Sequence, residues 1–154
     1  MNWLQVGVQW LHVLLGILWF GYALSMYFLV SPPLMKLPEA QQRDIFGRLG
    51  AVGPKVFPIV ATLVLVLGFV RGTFLGRIHS FDDLATTYGI LFTIGLLGTL
   101  ALFFTGARFI GPAFEGIGTT SDFPAAAARL RAVSRIDLAI FFIVFTCMIL
   151  MRFN

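Results

Sequence analysis

The sequence is poor in charge and in the side chains that form disulfides or bind metals. Charged residues make up 12% of the chain and hydrophobic residues 58%, whereas a soluble globular domain is about 25% charged. Cys147 is the single cysteine, so an intramolecular disulfide and a CxxC zinc ribbon are both excluded. P-loop, GxGxxG, HExxH and GxSxG motifs are also absent, and no enzyme class is predicted.

Long apolar runs dominate the rest of the chain. Each is long enough, at 1.5 Å per helical residue, to cross most or all of a ~30 Å hydrocarbon core. Ser31, Pro32 and Pro33 are expected to end the first run, and Pro58 is expected in the first turn of the second. We predict an all-α membrane protein, a four-transmembrane-helix bundle in a single domain over residues 1–154. Its spans are about 6–30, 56–74, 88–107 and 136–151.

Two connections between the runs have helical patterns of their own. In the first connection, residues 38–49 place Ile45, Phe46 and Leu49 on one face, which predicts a short interfacial helix. In the third, Asp122 is suited to an N-cap and Pro124 to a first turn, which predicts a helix running towards the fourth span.

The basic residues are distributed unevenly along the chain. The first and third connections hold eight of the eleven lysines and arginines. The positive-inside rule therefore places these connections in the cytoplasm and both termini on the outer side. The net charge of +4 is explained by this pattern, so we expect a lipid bilayer and no nucleic acid as partner. The eight are Lys36, Arg43, Arg48, Lys55, Arg108, Arg129, Arg131 and Arg135.

A stripe of polar, small and aromatic residues follows one face of the first span. Its spacing of four, three, four, three and four residues keeps it on one side of a helix, and we expect that side to face the bundle. His12 is its ionisable member. An imidazole among hydrocarbon chains either ligates haem iron or copper or donates a hydrogen bond to a neighbouring helix. The stripe is Gln5, Gln9, His12, Gly16, Trp19 and Ala23.

Other polar and sulfur-bearing residues share the depth of His12. Met148 and Met151 are candidate axial haem or soft copper ligands, or simply apolar filler. Arg71 is a candidate partner for a haem propionate, and it could equally pair with acids of the second connection or extend to lipid headgroups. His79 is either a solvated loop residue or a metal ligand. Asp137, at the opposite side of the membrane, is expected in the first turn of the fourth helix, where the helix dipole explains it; a proton-relay role is the alternative.

Several short motifs resemble those of a known group. The segments Leu11-His12-Val13, Trp19-Phe20-Gly21, Pro32-Pro33-Leu34 and Phe46-Gly47-Arg48 resemble the CopD-like superfamily of small bacterial integral membrane proteins. That group includes the copper-resistance D proteins, and its relatives include HemJ-type protoporphyrinogen oxidases and the membrane domain of cytochrome-linked urate oxidases. The resemblance covers about residues 9–72. It implies a prokaryotic plasma (inner) membrane location and a haem b or copper site at His12.

Two functional hypotheses follow from these observations. In the first, the chain binds haem b, or alternatively copper, through His12 and acts in electron transport or metal handling. In the second, it is a non-catalytic accessory subunit that braces a larger respiratory or photosynthetic membrane complex. Its partners would then be other membrane subunits or further copies of itself, because the chain has little mass outside the membrane.

Overall fold

The computed structural model describes residues 2–153, in which the regular structure is helical and no strand occurs. Four long helices follow one another: Trp3–Leu34 (α1), Glu39–Gly72 (α2), Thr87–Gly116 (α3) and Phe123–Arg152 (α4). Each is long and apolar enough to cross a membrane. The chain is therefore a multi-pass membrane protein built as an all-α four-helix bundle, as predicted.

Side-chain caps fix where three of the helices begin. The side chain of Asn2 accepts hydrogen bonds from backbone N–H groups of the first turn of α1, and the Thr86 hydroxyl accepts one from Gly89 N–H in α3. Asp122 Oδ1 accepts from Ala125 N–H at 3.2 Å, at the start of α4. The predicted N-cap at Asp122 is confirmed, and the helix it begins runs without a break into the fourth span.

The helices are longer than the apolar runs that predict them. α1 includes a wider turn at Ser25–Val30, with hydrogen bonds to the fifth residue back, and ends at Leu34, directly after the Ser31-Pro32-Pro33 segment that was expected to end it. α3 contains the same kind of turn at Gly106–Ile110, just before Pro112. A wider turn relieves the clash between a proline ring and the preceding turn. α1 thus contains its two prolines in its last turn, and α3 passes through Pro112 to Gly116.

The amphipathic stretch of residues 38–49 is helical, but it is not a separate interfacial helix. It forms the first part of α2, which passes through Pro54 and Pro58 without ending. Pro58 is thus an interior residue and not a first-turn residue. The apolar face of the stretch is turned towards protein, since Phe46 is buried in a core that includes Phe123.

The helices run antiparallel to their neighbours along the chain, so the bundle has two ends. We call the end with both termini and the α2–α3 connection the terminal end, and the opposite one the loop end. Glycines allow close approach: a Cβ on Gly50 would lie 2.5 Å from the Phe114 carbonyl oxygen, and one on Gly98 would lie 2.6 Å from Val144 Cγ2. α3 and α4 pack together most extensively, and α1 packs mainly on α2.

Candidate functional site

Three hydrogen bonds join the terminal half of α1 to α2 and the residues that follow it. Gln5 Nε2 donates to the Leu75 carbonyl at 2.9 Å. Arg71 Nε donates to Gln9 Oε1 at 2.8 Å. One turn deeper, the ring of His12 lies 3.1 Å from the Val64 carbonyl oxygen through Nδ1. The polar end of the predicted stripe therefore lies against α2.

His12 is the buried residue of the Trp3–Leu24 part of α1, with 9% of its surface exposed. A carbonyl oxygen only accepts hydrogen bonds, so Nδ1 must carry the hydrogen in the bond to Val64. In the neutral ring, Nε2 then keeps its lone pair. Metal-bound histidines characteristically donate their other ring N–H to a backbone carbonyl or a carboxylate in this way. The observed bond therefore fixes the tautomer that a ligand requires.

A glycine on α2 creates the space that the imidazole occupies. A Cβ built on Gly68 would lie 2.9 Å from His12 Cε1 and 3.5 Å from Nδ1. Four residues on, Gly72 contacts the Phe92 ring of α3. A pair of small residues four apart is a common feature of membrane helix interfaces. The Gly68 and Gly72 spacing is the sequence signal that could have located this contact.

His12 lines a cavity of about 520 Å³ at the terminal end of the bundle, which we call the terminal-end cavity. Its walls include Arg71, Met148 and Met151, so four of the five sequence candidates come together around one space. This volume lies within the usual range of roughly 300–1,000 Å³ for ligand sites. Gly68 and Gly95 also line it, and the absence of a side chain at Gly68 is what lets the His12 ring reach the wall.

Two further arginines line the same cavity. Arg77 follows α2 and Arg152 ends α4, and both join Arg71 in the wall. Arg77 also lies over the Tyr88 ring, 5.6 Å from its centroid. From the sequence, the positive-inside rule predicts only that these two residues lie on the outer side of the membrane with the termini and the second connection. The antiparallel order of the helices brings them into the same cavity wall as Arg71, where anionic groups would be stabilised.

His79, the fifth candidate, lies elsewhere. It is an exposed residue of the α2–α3 connection and is not in the wall of the terminal-end cavity. Its backbone N–H donates to Asp83 Oδ2 at 2.8 Å, and that of Ser80 donates at 2.7 Å. These bonds, with the Ser80 side chain, hold the pKa of the Asp83 carboxyl below its ordinary value. His79 thus contributes a backbone hydrogen bond to the α2–α3 connection, and it does not lie beside His12.

The surroundings of Arg71 distinguish between its predicted roles. The guanidinium contacts Gln9 and the Leu75 carbonyl, and Asp83 is engaged by backbone N–H groups of its own loop. The Arg71 side chain is therefore positioned by these hydrogen bonds and not by an ion pair with an acid of the α2–α3 connection. Its half-buried side chain remains in the cavity wall beside Gln9.

The donor set favours some ligands over others. Within residues 2–153, no three His, Cys, Asp or Glu side chains group together to hold a metal ion. One imidazole and two thioethers are the available soft donors in the terminal-end cavity. This set suits a metal whose remaining ligands come with it, as in haem, or a soft copper(I) ion.

Comparisons with known proteins leave the family of this chain open. No family model, curated protein or solved structure matches it. The geometry of the terminal-end cavity is therefore the basis for a functional proposal.

Proposed function

We propose that this chain is a CopD-like membrane protein that binds haem b through His12 and acts in electron transfer, with copper as the alternative ligand. The observation that carries the proposal is the His12 geometry. Its Nδ1 hydrogen is committed to the Val64 carbonyl, and the ring lines a cavity of ligand size. A tautomer held in this way presents Nε2 as the ligating atom.

The residues of the terminal-end cavity fit a haem by type and position. His12 on α1 would hold the iron, and Met148 or Met151 on α4 could supply a second ligand, since all three line this cavity. Arg71, together with Arg77 and Arg152, would bind the propionates. The bound group would supply one-electron redox chemistry, and the chain supplies ligands, charge neutralisation and exclusion of water.

Haem is favoured over copper by the number of protein ligands that each needs. The porphyrin brings four nitrogens, so one or two side chains complete the coordination of its iron. A copper(I) ion would need His12, Met148 and Met151 together, because the described chain has no cluster of three His, Cys, Asp or Glu side chains. The arginines also have a role only in the haem case, since they would repel a cation.

The charge distribution supports an orientation for the site. The loop end is the basic end, and the positive-inside rule places it in the cytoplasm of a prokaryotic cell. The termini, the α2–α3 connection and the haem site then lie on the periplasmic side of the inner membrane. Exchange of electrons with periplasmic partners would follow from this placement.

A second candidate function is supported by the same hydrogen bond. The bond from His12 to Val64 is itself a sufficient reason for a buried imidazole, because it pairs the Nδ1 hydrogen and joins two helices. Under this reading the chain is an accessory subunit that braces a larger membrane complex. The terminal-end cavity would then hold lipid.

Absorption spectroscopy separates the two candidates. The protein is produced with haem precursor, extracted in mild detergent, and scanned for a Soret band, with copper measured by elemental analysis. His12→Ala should abolish the Soret band while the helical circular dichroism spectrum is retained. His79→Ala is the matched control, since it removes the other histidine from an exposed loop, and it should leave the band intact. A native protein that carries neither haem nor copper, purified with partner subunits, would refute the first candidate and support the second.

A further inference from the structure

A second cavity lies at the loop end of the bundle and is independent of the His12 site. Its volume is about 660 Å³, and all four helices contribute to its wall. Aromatic rings form much of that wall. Tyr22 and Phe57 stack with their centroids 4.1 Å apart, and Trp19 meets Phe141 edge-on at 5.1 Å. We call this space the loop-end cavity.

A buried carboxyl group lines the loop-end cavity without a full set of hydrogen bonds. Asp137 has 7% of its surface exposed, and its Oδ1 atom has no hydrogen-bond partner. The hydroxyl of Thr105 on α3 donates to the Leu102 carbonyl at 3.1 Å, so it does not supply the missing donor. A buried acceptor without a donor is costly, and native proteins rarely retain one without a reason.

The helix dipole does not explain this carboxyl. The sequence predicts Asp137 in a first helical turn, where an acid is stabilised by the positive end of the dipole. The structure corrects this prediction, because α4 begins at Phe123 and Asp137 lies in its interior. The backbone N–H groups around it are already used within the helix. The free acceptor is therefore available to a donor that enters the cavity.

The charged side chains of the wall indicate that this ligand is neutral. The wall contains two acids, Glu115 and Asp137, and two bases, Arg131 and Arg135, so its formal charge is zero. Arg135 is itself engaged, since Nε donates to the Tyr27 hydroxyl at 3.0 Å. A cation or an anion would meet a group of its own sign, whereas a neutral hydroxyl can donate to Oδ1 without disturbing the balance.

We propose that the loop-end cavity binds a neutral, lipid-soluble molecule with a hydroxyl-bearing aromatic head group, of the phenol or hydroquinone class. Its hydroxyl donates to Asp137 Oδ1, and its ring packs against Trp19, Tyr22, Phe57 and Phe141. The cavity volume suits such a ring, and its place among membrane-spanning helices gives access to a molecule dissolved in the bilayer. This assignment does not depend on whether His12 binds haem.

Tryptophan fluorescence provides the binding assay. Trp3 and Trp10 are 73% and 65% exposed, so Trp3→Phe and Trp10→Phe leave Trp19 as the reporter within the cavity wall. The protein is placed in lipid nanodiscs and titrated anaerobically with decylbenzohydroquinone, and empty nanodiscs are subtracted. The 1,4-dimethyl ether of the same compound keeps the ring and tail but cannot donate. We expect saturable quenching by the hydroquinone and at least about tenfold weaker binding by the ether.

A pair of variants tests the role of the carboxyl. Asp137→Ala should weaken hydroquinone binding about tenfold or more, and Asp82→Ala, at an exposed acid of the α2–α3 connection, should not change it. The dimethyl ether comparison uses the unaltered carboxyl, so it remains decisive if Asp137→Ala fails to fold. Equal affinity for hydroquinone and ether, or displacement of the hydroquinone by dodecylammonium at lower concentration, would overturn the proposal.

Discussion

Replacement of Gly68 by alanine tests the contact on which the His12 site depends. The new methyl group would lie 2.9 Å from His12 Cε1, closer than two carbon atoms approach. The neighbouring atom belongs to a buried ring and not to the end of a flexible chain, so the ring must turn away from α2. We therefore expect the bond from Nδ1 to the Val64 carbonyl to break.

The magnitude follows from two opposing effects. A glycine-to-alanine change in a helix interior stabilises by up to about 1 kcal/mol. A buried polar group left without its partner costs about 1–3 kcal/mol. Gly47→Ala is the matched control in the same helix, because a Cβ there meets no other atom within 4 Å. The difference between the two variants should therefore isolate the steric effect, and we expect Gly68→Ala to be the less stable by about 1–3 kcal/mol.

The chain contains its own reporter for this measurement. Cys147 is the single cysteine and is buried, so a thiol-reactive fluorophore in detergent labels it only as the bundle opens. Melting curves of the native protein and both variants give the stability order, and reconstitution with haem gives the Soret intensity. Equal melting temperatures for the two variants, with equal Soret bands, would refute the steric argument.

Two further predictions concern the ends of helices. Asp122→Ala removes the acceptor for Ala125 N–H and should destabilise the protein by about 1 kcal/mol, whereas Asp122→Ser should retain most of the stability. Thiol labelling of Cys147 on heating measures the stability of both variants. Equal losses of stability in the two variants would contradict the N-cap role of Asp122. Asp83 has a folded-state pKa below its ordinary value, so its contribution to the α2–α3 connection is present above the ordinary carboxylate pKa of about 4 and is lost as the pH falls through the lower folded value. The amide resonances of His79 and Ser80 should therefore shift at a pH below about 4, and a midpoint above that value would be inconsistent with the observed bonds.

Much of the architecture could be predicted from the sequence because lipid imposes a simple rule. A segment in hydrocarbon must satisfy its own backbone, so a long apolar run predicts a helix. The four spans were located in this way, and the spacing of Gln5, Gln9 and His12 gave the face of α1 that contacts α2. The start of α4 could be predicted from Asp122, because an N-cap side chain bonds to a backbone N–H only three residues further along the chain.

Two kinds of feature could not be predicted from the sequence alone: the residues at which some helices end, and the residues that form the walls of the cavities. Whether Pro32 lies inside the last turn of a helix or just beyond it depends on whether the turn before it can widen, and the turn at Ser25–Val30 does so. The meeting of Arg77 and Arg152 with Arg71 depends on which helices pack together. The lack of a donor at Asp137 Oδ1 depends on which side chains the neighbouring helices bring to it, and that is decided by packing.

The way α1 is attached has a consequence for how the protein assembles. Its membrane segment buries His12 and is otherwise largely turned outwards, and apolar contacts between helices gain little in a solvent of acyl chains. The terminal half of α1 is thus held in the bundle by a few polar contacts. A group bound to both His12 and α4 would link this half of α1 to the rest of the bundle. Loss of that group should allow this half of α1 to detach first in harsh detergent, while α3 and α4 remain together.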